Sequence, residues 1–230
     1  MLDFIGAIAV GVFAATALAG FTATMQTSLR ARLLLGAVVG IWIGLAGALA
    51  GAGAFDDAGR RPVPLVAVFV VTPLIAVALL AWLSPAARKA MLSVPMPLLV
   101  GLNAFRFLGG LFLLLAAAGR LGGPFPHAAG WGDIATAALA IPAAYIAARP
   151  PSGRDWFIGL ATLVGALDLV IAVGLATITT PGSPLQIIPE TIGPRAMLHL
   201  PWTLIPTVLV PYMLIAHGIV FAQLRRRAAG

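Results

Sequence analysis

The amino-acid sequence predicts an all-α fold: a polytopic bundle of about seven transmembrane helices. Of its 230 residues, 61% are hydrophobic and 9% are charged, and the mean hydropathy is +1.05. A soluble domain carries roughly 25% charged residues, so this chain could not cover a water-facing surface. Its apolar runs are continuous, whereas the strands of a membrane barrel alternate over about 10 residues. Helices are favoured further because lipid offers the backbone no hydrogen-bond partner.

Seven stretches reach the roughly 20 apolar residues that a helix needs to cross a bilayer. Together they predict a single integral membrane domain over residues 1–230, with spans near 4–26, 33–54, 63–83, 97–118, 131–148, 156–179 and 202–224. The fifth stretch is the weakest because it is short and contains Pro142. It is either kinked or begins earlier, near Phe125, and a bundle of six spans stays open.

The distribution of charge predicts the orientation, with the N-terminus outside and the C-terminus cytoplasmic. Loops on the cytoplasmic side of bacterial membrane proteins carry an excess of Lys and Arg. In this orientation the only cytoplasmic acid is Asp155, and the cytoplasmic basic residues are Arg30, Arg32, Arg88, Lys89, Arg149, Arg154, Arg225, Arg226 and Arg227. The outer segments hold Arg60, Arg61, Arg120 and Arg195 against Asp3, Asp56, Asp57, Asp133 and Glu190. We therefore expect a multi-pass protein of a bacterial inner membrane.

Tryptophan positions support this arrangement, since aromatic residues favour the two membrane interfaces. Trp82 and Trp156 fall at predicted inner boundaries, and Trp131 and Trp202 at outer ones. Only Trp42 lies within a span.

Several functional classes are excluded by the residues present. The basic residues lie in short runs between spans, which does not suit binding of nucleic acid. The chain has no Cys, so it has neither a Cys-ligated metal nor a Cys nucleophile. Its one Lys, Lys89, lies in a predicted loop, which excludes a retinal Schiff base in the last span. Asp168 is the only carboxylate expected in the interior of the membrane, which argues against an intramembrane aspartyl protease.

Two opposite charges, Arg106 and Asp168, lie within spans 4 and 6. Their predicted depths differ by roughly 4–5 Å, which an Arg side chain can cover. Either charge alone at the midplane costs at least about 2.5–3.5 kcal/mol, so we expect the two to form a buried salt bridge. The pair could act as a gate, a proton-linked switch or an anion-binding site, or it could be only a structural clasp between helices.

Three further side chains complete the candidate ligand or ion pathway. Asn103 precedes Arg106 by three residues and lies on the same helical face, although it could serve only helix packing. Tyr212 and His217 follow the prolines of span 7, where a kink is expected to free backbone carbonyls.

The predicted outer loops contain a second group of candidates: His127, Asp133, His199 and Glu190. Imidazole and carboxylate are suitable ligands for zinc or copper, but no metal-binding spacing such as H-x-x-x-H is present. We therefore predict no metal, and ordinary hydrogen bonds for the histidines. No motif indicates a cofactor, and its identity stays open. Asp133 is expected first as the N-cap of span 5, with a role in the site as the alternative.

Span 2 carries a ridge of small residues at Gly36, Gly40 and Gly44. Such spacing lets helices approach closely. The favoured contact is within the chain, and the alternative is a homo-oligomer or a larger membrane complex.

Residues 106–133 read RFLGGLFLLLAAAGRLGGPFPHAAGWGD. This stretch resembles a group of uncharacterised bacterial inner-membrane proteins of similar length and about seven spans. In these an Arg-led helix runs into a Gly/Pro/Phe turn and then into an Ala-Gly-x-Gly-Asp segment. The matching positions are Arg106, Gly109, Gly119, Pro124, Phe125, Ala129, Gly130, Gly132 and Asp133. The resemblance implies no activity.

The sequence leaves three functional hypotheses, and no catalytic residue is predicted. The first is a small transporter or channel-like protein with a midplane Arg/Asp site. The second is a non-catalytic accessory or assembly subunit of a membrane complex. The third is a binder or enzyme of a lipophilic ligand such as a quinone, haem or isoprenoid. A watery cavity that reaches Arg106 would favour the first, a Gly-lined outer face the second, and an apolar cleft the third.

Overall fold

The computed structural model describes residues 1–56, 62–150 and 153–229, and these residues form a helical bundle without strands. The α-helices are α1 (Leu2–Thr24), α2 (Leu29–Gly51), α3 (Leu65–Leu83), α4 (Pro85–Leu92), α5 (Met96–Gly101), α6 (Gly110–Ala117), α7 (Phe125–Ala147), α8 (Asp155–Thr179) and α9 (Val210–Ala229). A 3₁₀ segment, Leu102–Gly109, joins α5 to α6, so that Met96–Ala117 is one continuous helical rod. A π-helical turn, Ile205–Leu209, leads into α9, and Arg195–Leu198 is a short 3₁₀ helix.

Six of the described helices are long and apolar enough to cross a membrane: α1, α2, α3, the Met96–Ala117 rod, α8 and Ile205–Ala229. The predicted all-helical bundle is therefore confirmed, and its apolar helices are compatible with a membrane location. The fifth predicted stretch is helix α7, which is long enough at 23 residues but does not count among the six. Its first turns pack beside Phe112 and its last beside Val94, so α7 runs between the same two ends of the bundle as its neighbours.

The start of α7 is the earlier of the two expected for the fifth span. The helix begins at Phe125, and Pro126 lies in its first turn. The N–H that proline lacks would have no partner within the helix at this position, so no helical hydrogen bond is lost. Phe125 packs in a buried cluster with Phe112 and Leu121. This buried aromatic ring and the proline, rather than the hydropathy of the following residues, explain why the helix begins there.

Contacts between connections define two ends of the bundle. At one end, which we call the basic end, Gln223 Nε2 donates to the carbonyl oxygen of Val94 at 2.7 Å, and Arg227 pairs with Asp155 at 3.3 Å. All nine basic residues predicted to be cytoplasmic lie in the segments that meet there. At the other end, the Asp3 end, Arg120 pairs with Asp3 at 2.8 Å. Asp57, Arg60 and Arg61, which were assigned to the outer side, lie outside the described residues.

The sequence predicts an interfacial position for Trp202, but the structure does not place its side chain on the surface of the bundle. Its side chain is fully buried, and its Nε1 donates to Asp3 Oδ1 at 2.7 Å. The ring fills the space beside Gly6, where a Cβ would lie 2.5 Å from it. Trp82 and Trp156, by contrast, are 75% and 67% exposed at the basic end, as expected of interfacial residues.

The glycine ridge of α2 makes no close contact within the described part of the chain. A Cβ built on Gly36, Gly40 or Gly44 would meet nothing within 4 Å. The favoured expectation of a contact within the chain is therefore wrong, because α2 packs through its other face, with Ala46 and Ala50 buried. Contact with a second copy or another subunit stays a prediction.

Candidate functional site

The 3₁₀ segment positions the polar residues of the rod. A 3₁₀ helix has three residues per turn, so residues at i and i+3 lie one above the other. Asn103, Arg106 and Gly109 have this spacing, and all three are buried. Arg106 is ten residues from the start of the Met96–Ala117 rod and eleven from its end. The backbone of Arg106 therefore lies near the middle of the rod, and its side chain leaves the helix at that level.

Arg106 bridges α7 and α8. Its Nε donates to Asp133 Oδ1 at 2.6 Å, its Nη1 to the carbonyl oxygen of Gly165 at 2.9 Å, and its Nη2 to Asp168 Oδ2. The predicted contact between Arg106 and Asp168 is thus present. We call Arg106, Asp133 and Asp168 the ion cluster.

The position of Asp133 differs from both sequence-based expectations. It is neither the N-cap of its helix nor an outer-loop residue, because α7 begins eight residues earlier and carries Asp133 into the bundle. Asp168 is consequently not the only carboxylate in the interior of the bundle, contrary to the expectation from the sequence. Both carboxylates are bound by one guanidinium group, so neither is a free base of the kind that an aspartyl protease needs.

The ion cluster contains more acidic groups than basic ones. Arg106 contributes +1, and Asp133 and Asp168 together contribute −2 when both are ionised. The Arg106 side chain is only 3% exposed, whereas those of Asp133 and Asp168 are 16% and 12% exposed. An anion-binding role for Arg106 is therefore disfavoured, since two carboxylates and a carbonyl already occupy the guanidinium.

Glycines make room for the cluster. A Cβ on Gly132 would overlap Asp168, and a Cβ on Gly109 would overlap Asp133. Gly165, whose carbonyl binds Arg106, also leaves a notch in α8 that Thr136 and His217 fill. A Cβ there would lie 2.8 Å from Thr136 Cγ2 and 3.0 Å from His217 Nε2.

Three buried polar atoms around the cluster have no hydrogen-bond partner among the residues that the structure describes: Asn103 Oδ1, Thr136 Oγ1 and His217 Nε2. Asn103 does not bond across to another helix, since its Nδ2 donates to carbonyls of its own helix, that of Leu99 at 3.2 Å and that of Val100 at 3.3 Å. His217 comes from α9 and is 3% exposed. The structure thus brings four predicted site residues into one region: Asn103, Arg106, Asp168 and His217.

The other predicted residues lie apart from this region. Tyr212 faces α1, where its hydroxyl donates to the carbonyl oxygen of Ala17 at 3.3 Å. His127 is exposed, but it lies in the first turn of α7 rather than in a loop, because the helix begins at Phe125. His199 is exposed after the Arg195–Leu198 helix, and Glu190 lies over Gly123. No group of three or more His, Asp or Glu side chains that could hold a metal occurs in residues 1–56, 62–150 and 153–229.

A mostly apolar cavity of about 160 Å³ extends from the ion cluster toward the Asp3 end. Asp133 lines its inner part and Ser183 its outer part, and α3 and α8 form opposite walls. Val71 of the α3 wall is 46% exposed, so the lining reaches the lateral surface of the bundle. A second cavity of about 60 Å³ is lined by both Arg106 and Asp133.

Comparison with known proteins identifies a family but no activity. Residues 63–225 match the family described as domain of unknown function (DUF8737). The chain belongs to this family. No curated protein and no solved structure matches it. The DUF8737 region contains the ion cluster, both walls of the larger cavity and the 106–133 segment that carried the resemblance.

Sequence reasoning missed Gly165 and Thr136 within the DUF8737 region. A signal was present, because α7 and α8 each carry a Gly-x-x-Asp sequence, Gly130–Asp133 and Gly165–Asp168. Residues three apart lie on one face of a helix. Each acid therefore shares a face with a glycine that lets a neighbour approach: Gly130 lies against Leu113, and Gly165 against His217.

Proposed function

We propose that this protein is a multi-pass protein of a bacterial inner membrane that binds a small lipophilic molecule between α3 and α8. The observation that carries this proposal is the apolar cavity of about 160 Å³ that ends on Asp133. Ligand sites in proteins are typically apolar with a few polar groups that fix the orientation. An apolar cavity of about 150 Å³ is large enough to hold benzene. The ligand therefore has an apolar part about the size of one ring.

The entry route supports a ligand that arrives from the membrane. Val71 and its neighbours form the lateral wall of the cavity, on a surface that lipid covers if α3 spans the bilayer. A lipophilic molecule partitions into lipid, so a lateral opening gives it access without a passage through water. A quinone-like or isoprenoid-like group agrees with this route.

Transport is a second candidate, and the position of the ion cluster favours it. Intramembrane ionisable groups are rare, and they commonly mark substrate or ion pathways. Arg106 lies at the centre of its rod, at the inner end of the cavity system. A carrier would bind its substrate in this cavity before releasing it at the basic end, so transport requires the binding site and adds a step to it.

Photolabelling tests the binding site. The purified protein in lipid nanodiscs is exposed to 3-trifluoromethyl-3-phenyldiazirine, a ring-sized apolar photolabel, and the labelled residues are mapped by mass spectrometry. We expect saturable labelling on the cavity walls, for example at Val173 of α8. Competition with neopentylbenzene, which has no reactive group, should suppress it.

A matched pair of variants controls this experiment. Ala172→Phe fills the cavity, because Ala172 is part of its lining. Ile171→Phe adds a ring at the preceding residue of α8, whose side chain is 53% exposed on the surface of the bundle. Saturable labelling should be lost in A172F and retained in I171F. Labelling that is spread evenly over the lipid-facing helices, or that A172F leaves unchanged, would refute the proposal.

A further inference from the structure

We infer that the ligand of this cavity is a lipophilic cation, and that its binding releases one proton from the ion cluster. This inference rests on the proposed function and names the chemical class of its ligand. The structural basis is the juxtaposition of an apolar cavity with two carboxylates that share a single guanidinium group.

The charge of the cluster requires a neutralising partner. With both carboxylates ionised the cluster carries −1, and an uncompensated charge in an apolar interior is strongly unfavourable. The charged and titratable groups that face Asp133 are Arg106 of the rod and Asp168 of α8, and the two carboxyl groups interact with each other. His217 of α9 lies against Gly165. Without a ligand, one proton held between the two carboxylates makes the cluster neutral.

The geometry decides the sign of the ligand's charge. Asp133, unlike the buried guanidinium, lines the larger cavity, so an occupant meets a carboxylate first. Phe112 and Phe125 line the same cavity with ring centroids 5.8 Å apart. The faces of aromatic rings attract cations, so these walls accept an alkylammonium group as well as an apolar one.

The exchange balances as follows. In the free protein the cluster consists of Arg106, one carboxylate and one carboxyl, and its net charge is zero. A cationic ligand brings +1, the carboxyl gives its proton to bulk water, and the complex is again neutral. No covalent bond to the ligand forms or breaks. Ligand and proton therefore compete, and affinity for the cation rises with pH until the free cluster has lost its proton.

Two probes of nearly equal shape test the inference. Benzyltrimethylammonium has a fixed positive charge, and neopentylbenzene is its neutral carbon isostere. Binding of each to the full chain in nanodiscs is measured by titration calorimetry in buffers that differ in ionisation enthalpy, which gives the number of protons released. We expect the cation to bind roughly ten- to a hundredfold more tightly, with release of up to one proton, and the isostere to release none.

Two variants test whether the released proton comes from the ion cluster. Asp133→Asn should abolish proton release and remove most of the preference for the cation, so that the ratio of the two probe affinities falls by roughly ten- to a hundredfold. Asp155→Asn is the matched control, because it removes a carboxylate that pairs with Arg227 at the basic end. The comparison of the two probes on the unaltered chain stands even if D133N does not fold.

Failures of the two proposals are distinguishable. Equal affinities for the two probes, or a preference for the cation without proton release, would overturn the inference and leave the apolar binding site intact. If neither probe binds and photolabelling does not saturate, the proposed binding function itself is wrong, and the inference fails with it.

Discussion

Gly132 of α7 faces Asp168 of α8 so closely that a Cβ on the glycine would overlap the carboxylate oxygen Oδ1. The close approach brings Asp168 within reach of Arg106. A second close approach, of Gly109 to Asp133, makes room for the other carboxylate that the guanidinium group binds. The ion cluster thus depends on backbone positions that have no side chain, in addition to its own charges.

Gly132→Ala should therefore destabilise the protein by about 1–3 kcal/mol, because one methyl group is forced into occupied space. The measurement is the free energy of unfolding in detergent micelles. Gly40→Ala is the control, since a Cβ at Gly40 meets nothing within 4 Å. In a helix this change should stabilise by roughly 0.5–1 kcal/mol. Equal effects of the two variants would show that Gly132 does not hold the α7–α8 contact.

Arg106→Leu should lower the free energy of unfolding by about 3–5 kcal/mol, because it leaves the two carboxylates of the ion cluster without their cation. The triple variant Arg106→Leu/Asp133→Asn/Asp168→Asn should recover most of this loss, since it removes the carboxylates as well. Unfolding measurements on both variants check the expectation. Arg227→Leu breaks the partly exposed ion pair with Asp155. This change should lower the free energy of unfolding by at most about 1 kcal/mol. A triple variant no more stable than R106L would argue that Arg106 acts through packing rather than charge.

Much of the fold and part of the site follow from the sequence. Continuous hydropathy predicts the helices, and the similar depths of Arg106 and Asp168 predict their contact. Asp133 was misplaced because the hydropathy of α7 rises only after Trp131, although the helix begins at Phe125. The start depends on burial of a phenylalanine against distant segments, and such tertiary packing leaves no local pattern.

Other errors have the same origin. Trp202 has the spacing of an interfacial residue, but its ring is buried and its Nε1 donates to Asp3, nearly two hundred positions away in the chain. The glycines of α2 permit a close helix contact without requiring one. The cavity, too, depends on the space left between α3 and α8, which no spacing within either helix predicts.

The π-helical turn before α9 provides a further test. In a regular α-helix the carbonyl oxygen of Thr207 would accept a hydrogen bond from residue 211, but Pro211 has no N–H. Trp42 Nε1 of α2 donates to this oxygen instead, at 3.0 Å. Trp42→Phe should therefore cost about 1–3 kcal/mol, because it leaves a buried acceptor without a partner.

A double-mutant cycle with Pro211→Ala isolates this bond, because the alanine supplies the missing N–H. The cost of Trp42→Phe, measured by thermal unfolding, should be smaller in the P211A background than in the natural chain. Trp82→Phe is the control for loss of an indole, since Trp82 is 75% exposed. The same cost in both backgrounds would mean that Trp42 stabilises α9 through contacts of its ring.

The proposed orientation is open to direct chemical measurement, because the chain contains no Cys that would give background labelling. Ile187→Cys places a thiol in the connection before α9, where Ile187 is 75% exposed, and Ala86→Cys places one at the basic end. With the basic end cytoplasmic, a membrane-impermeant maleimide should label I187C in intact cells and A86C only after permeabilisation. The reverse labelling pattern would show that the bundle has the opposite orientation in the membrane. The Asp3 end would then face the cytoplasm, and the cavity would open toward the inner leaflet.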